Sequence, residues 1–131
     1  MKQKLFNYLN QNGYGYEVND DVIKFNVNEL HFFCQFFPKD PYFFRIILPC
    51  EDNVQDSSVN SLIAEINSRY KVAKIIEVNN KPWIVGESFA YSNQNGEMLI
   101  DRIVRLLIEV FNAYSNERNK QIRKEGEEVD G

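Results

Sequence analysis

The stretch Leu30–Cys50 limits the folds open to this chain more than any other. It holds six of the ten phenylalanines, in consecutive pairs: Phe32-Phe33, Phe36-Phe37 and Phe43-Phe44. Successive strand residues point to opposite faces, so a strand with one wet face alternates apolar with polar. Apolar doublets instead predict a sheet with apolar surface on both sides. Pro38-Lys39-Asp40-Pro41 interrupts the stretch, and proline cannot serve a ladder. The segment therefore reads as one hairpin with strands Leu30–Phe37 and Tyr42–Leu48.

Other elements follow from periodicity. Lys2–Asn12 carries Leu5, Phe6 and Leu9 on one side and stops at Gly13, which predicts a helix. Gly13–Asp21 reads as a loop. Val22–Val27 alternates, with a tight turn at Asn28-Glu29. After the polar stretch Pro49–Gln55, Asp56–Ser58 offers capping side chains to a second helix. Its stripe is Val59, Leu62, Ile63, Ile66 and Tyr70. Val72–Val78 and Trp83–Tyr91 form a second hairpin around Asn79-Asn80, residues that tolerate the left-handed conformation. Ser92–Gly96 reads as a capping loop. A last helix spans Met98–Tyr114, and its polar continuation Ser115–Lys124 either extends it or frays.

The order α-β-β-β-α-β-β-α predicts an α+β fold: a five-stranded antiparallel sheet with helices mainly on one face. At 131 residues the chain fits one domain, residues 1–118, with a charged, disordered tail over 119–131. Three helices suffice for one sheet face, and nothing is left for the other.

A symmetric hairpin about Pro38–Pro41 sorts the residues. Ile23, Phe25, Val27, Leu30, Phe32, Cys34, Phe36, Phe43 and Ile47 face the helices. Phe33, Phe37, Tyr42, Phe44, Ile46 and Leu48 face away, beside Lys24, Asn26, His31 and Gln35. An apolar patch of that size is unusual on a soluble monomer. It suits a homodimer interface, a groove for a peptide or protein client, or a surface that the chain's own helix and loops cover. Phe33, Phe37, Tyr42 and Phe44 are the expected contact residues, rimmed by His31 and Gln35.

The element order, with a helix near Ser58 and a hairpin that ends in Glu87-Ser88-Phe89, resembles the type III secretion chaperone-like fold and, within it, the YbjN-like group of bacterial proteins. The likeness covers about Leu5–Tyr114. It implies small, acidic, cytoplasmic proteins that often dimerise, and, in the secretion chaperones, binding of an extended client segment across apolar patches. No catalytic signature belongs to the group, so no site residue is transferred with it.

Chemistry finds little support. His31 is the lone histidine, and Cys34, three positions on, points to the opposite face. Cys34 and Cys50 read as free thiols, without metal-ligand spacing. Glu51, Asp52 and Asp56 read as loop charge and capping, and Gly13 and Gly15 follow a helix rather than opening one. Arg45 and Glu87 sit mid-strand among apolar neighbours, where a charge must find a partner, and they are expected to pair. Trp83 reads as a core or rim anchor.

A net charge of −4 provides no general field for a phosphate backbone. No segment is long and apolar enough for a leader or a membrane span, so cytoplasmic residence is expected. The sequence thus predicts a non-catalytic, chaperone-like protein-binding module without cofactor or metal, its apolar sheet face binding a client segment or a second subunit. The alternatives are a purely self-associating structural or regulatory protein, or a small-ligand binder.

Overall fold

The computed structural model describes residues 1–91 and 95–130, with side chains through Gly126. Residues 92–94, within the expected capping loop Ser92–Gly96, lie outside the described residues. The elements are α1 (Lys2–Asn12), β1 (Tyr16–Asn19), β2 (Val22–Val27), β3 (Leu30–Phe37), β4 (Asp40–Pro49), α2 (Ser57–Arg69), β5 (Ala73–Val78), β6 (Lys81–Phe89) and α3 (Gly96–Asp130).

They form one antiparallel sheet of six strands in the order β1-β2-β3-β4-β6-β5. The sequence predicts five strands. The additional one, β1, lies where a loop was expected, because its four residues are exposed throughout and show no burial alternation. Its pairing with β2 rests on backbone hydrogen bonds, to which hydrophobic periodicity is blind.

Local chemistry explains the boundaries. Gly13, at φ +68°, closes α1, and the Gly13 and Tyr14 amides donate to Asn10 and Leu9 carbonyls. Asp56 caps α2 by accepting from the Ser58 amide at 2.9 Å. Two hairpins turn on residue pairs with positive φ, Asn28-Glu29 and Asn79-Asn80, the geometry that matches strand twist. The Asn95 side chain accepts from the Met98 amide at 3.1 Å at the start of α3.

The helices cover one face of the sheet. Phe25, Phe32, Cys34, Phe44, Ile46, Leu48, Ile75 and Ile84 meet Leu5 and Leu9 of α1, Leu62 and Ile66 of α2, and Ile100, Val104, Leu107 and Val110 of α3. Phe25 and Phe32 are cross-strand neighbours with parallel rings 5.2 Å apart. Gly86 marks the nearest approach of α3: a Cβ there would lie 2.8 Å from Ile103 Cγ2.

Helix α3 outruns its expected apolar span. Its backbone is helical through Asp130, including 119–130, which the sequence reading assigns to a disordered tail. One polar cluster fastens the first turns of this extension. Arg118 reaches Asp56 at 3.1 Å and Asp52 at 3.6 Å, and Tyr114 donates to Asp52 at 2.7 Å. Hydrogen bonds from Ser58, joined by Arg118, hold the Asp56 carboxyl below its ordinary pKa.

Candidate functional site: the open sheet face

The β3–β4 hairpin is not symmetric, and that decides which residues face outward. Phe37 pairs with Asp40 across a two-residue turn, whereas Phe36 pairs with Phe44. Pro41, Tyr42 and Phe43 therefore bulge from β4 with no counterpart on β3, at a proline that cannot donate to the ladder. Beyond the bulge Cys34 stands opposite Ile46, one residue from the symmetric register, which puts it opposite Arg45.

A one-residue slip exchanges the faces of a whole strand. Phe44, Ile46 and Leu48, expected to face outward, are in the core, at 0%, 0% and 1% exposure. Phe43 and Ile47, expected against the helices, share the opposite parity with Arg45 and lie outside the helix-packed cluster, Phe43 half-buried and Ile47 buried at 2% exposure among its neighbours on the face.

The outward face therefore has other members than those expected. Phe33, Gln35 and Phe37 are on it and half-buried, and exposed His31 lies at its end, its ring bonded to the Asn26 side chain. Phe44 is not on it. Tyr42 is displaced to a corner near Met1, Lys4 and Ala90, its ring 5.6 Å from that of Tyr91. Phe43, Ile47, Trp83, Val85 and Phe89 join the face instead, because β4 and β6 pair Phe43 with Phe89, Ile47 with Val85 and Pro49 with Trp83. Rings run along it: Phe37 to Phe43 at 5.2 Å and Phe43 to Phe89 at 5.1 Å. Such tilted pairs each add about 0.5–1.5 kcal/mol to burial alone.

Arg45 and Glu87 are register partners in the middle of this face, and Arg45 Nη2 lies 3.2 Å from Glu87 Oε2. The guanidinium also sits 5.6 Å from the Phe37 ring centroid. Both side chains of the pair are over a third exposed, at 34% and 42%, so water screens their attraction. Arg45 Nε, meanwhile, is buried without a partner. Arg45→Met keeps the stem packing, removes that unmet donor and loses a screened pair. It is expected to change the unfolding free energy by less than about 1 kcal/mol in urea titration.

Among the described residues no helix packs on this face, and no three His, Cys, Asp or Glu side chains converge to hold a metal. No described helix is long and apolar enough to cross a membrane. The face provides hydrophobic area, rings and one central charge pair, which are means of binding.

No family model matches the chain, and no curated protein sequence does. Its architecture is similar to that of the crystal structure of YbjN, a candidate transcription regulator from E. coli. The match has a TM-score of 0.63 over 92% of this chain and 93% of that one, at 14% identity. At that identity the likeness is one of fold, and it supports the YbjN-like part of the expected resemblance rather than the type III secretion chaperone part. The chain is built on a YbjN-like α+β fold.

Proposed function

We propose that this chain is a non-catalytic binding module whose open sheet face joins a second copy of itself. The observation that carries the reading is the set Phe33, Phe37, Phe43, Trp83 and Phe89 on one face that no described helix covers. Strand spacing and rise give a six-stranded face an area on the order of 600 Å². That approaches the roughly 800 Å² per partner of a standard interface.

The central pair favours a second copy over an unrelated partner. A two-fold axis beside Arg45 and Glu87 sets each Arg45 near the other copy's Glu87, so the face complements itself. A chaperone-like role, with an extended client segment on the same face, is the second reading, favoured by the half-exposed rings of Phe89 and Tyr91 at 49% and 54%. The regulatory role with which YbjN is described suits either form.

Light scattering on a sizing column tests the first reading. Wild type is expected at about twice 15.4 kDa, and Phe43→Asp with Phe89→Asp at 15.4 kDa with an unchanged circular dichroism spectrum. Phe89→Asp alone, at a half-exposed position, serves if the double variant unfolds. A wild type of 15.4 kDa at every concentration overturns self-association.

A further inference from the structure

The sheet is split at one end. The β3–β4 ladder stops at Phe33↔Ile47, yet β3 begins three residues earlier, at Leu30, and β4 runs on to Pro49. Neither strand is frayed there. Leu30, His31 and Phe32 still pair with β2, and Leu48 and Pro49 with β6.

Pro49 explains the break. The Cys50 amide donates to the Pro82 carbonyl of β6 at 2.8 Å, and successive amides on a strand point to opposite sides. The nitrogen of Pro49 therefore faces β3, and it has no hydrogen to give.

The gap opens into a cleft of about 480 Å³, within the size range of small-molecule sites. Its walls are Leu30, Phe33 and Leu48, and α3 contributes Phe111, Tyr114 and Ser115. Cys50 also lines it as a free thiol, 4% exposed. Carboxylates mark the mouth: Glu29, Glu51 and Asp52 line the cleft beside His31, and among the described residues no lysine or arginine does.

Two of these acids have partners nearby, Glu51 with Lys81 at 3.1 Å and Asp52 with Arg118. Glu29 has none among the described residues. The negative field reaches inward: burial first, then Asp52 and Glu51, push the Cys50 thiol up to about 12. Tyr114 is raised likewise, by burial and by Asp52.

We propose that this cleft binds a small organic cation, an amine carried on an aromatic or aliphatic body. The body would pack between Leu30, Phe33 and Phe111, and the ammonium would meet Glu29 and Asp52 at the mouth. Aromatic walls strengthen the preference, since ring faces attract cations. The site lies at the end of the sheet and shares Phe33 and His31 with the open face, so the titration is run on the protein in the assembly state that light scattering finds.

Amide NMR titration tests it, with 2-phenylethylamine as the cation and 3-phenylpropionate as the anion of matched body. The amine is expected to shift Leu30, Cys50 and Tyr114 saturably, with a Kd on the order of 0.1–1 mM. The acid should bind at least about tenfold more weakly, because like charges meet at the mouth. Ser115→Phe fills the cleft from the helix and should abolish the shifts, while Glu29→Gln should narrow the preference for the amine. Equal shifts from amine and acid, shifts that persist in Ser115→Phe, or none at all overturn the proposal.

Discussion

Phe44→Ala is expected to cost about 3–5 kcal/mol of unfolding free energy, the usual cost of emptying a buried phenylalanine site. Phe43→Ala, one position earlier on β4, is expected to cost about 1 kcal/mol, since its ring is only half-buried. Phe44 is fully enclosed, opposite Phe36 on β3 and Ser88 on β6. Its truncation leaves a cavity in the core between sheet and helices that packed neighbours cannot collapse to fill. Urea titration of both variants reads the difference, with the slope unchanged if the denatured state is unchanged. Equal losses, or a larger loss at Phe43, would mean that β4 runs in the symmetric register and that its faces are reversed.

The second large effect is expected at Gly86. Valine favours strands, so at an open strand position Gly→Val stabilises. At Gly86 the sign reverses, because Cβ alone already lies 2.8 Å from Ile103 Cγ2 and 3.4 Å from Leu107 Cδ2. These are branched side chains fixed in the body of α3, so the helix must lift from β6. Gly86→Val is expected to cost about 1–3 kcal/mol, the range for overpacking. Adding Ile103→Ala to the same chain should recover part of the loss, and a double-mutant cycle measures that coupling. Strictly additive losses would place the strain elsewhere than at this contact.

Periodicity made the helices and five of the six strands legible, since each buries a stripe that sequence spacing displays. Asn28-Glu29 and Asn79-Asn80 made two turns legible through the conformations those residues accept. Strand β1 was hidden because every residue of Tyr16–Asn19 is exposed, so no burial alternation marks it. The open face was legible as a kind of surface but not in its membership. Register depends on the bulge at Pro41–Phe43, and the two prolines of that turn mark only where pairing is interrupted, not by how many residues. One signal was nonetheless present. Arg45 shares its parity with Phe43 and Ile47, and a half-exposed arginine does not belong against three helices. Read with the expected Arg45–Glu87 pair, that parity assigns Phe43, Ile47, Val85 and Phe89 to the outside. The cleft was hidden for a related reason: by sequence Pro49 opens a polar loop, although it ends a strand and stops only one of that strand's two ladders.

The strand order also sets a timetable for synthesis. β1 to β4 are consecutive, and each can pair as soon as its successor emerges. β4 must then wait for β6, and Arg45 and Glu87 are 42 residues apart. At about 5–20 residues per second, that edge stands open for roughly 2–8 s on the translating ribosome. An unpaired edge carrying Phe43, Phe44, Ile46, Ile47 and Leu48 in one run is a template for aggregation. Arg45 breaks that run with a charge, the role of a gatekeeper. Its worth to the nascent chain thus exceeds the small contribution that its ion pair makes to the finished fold.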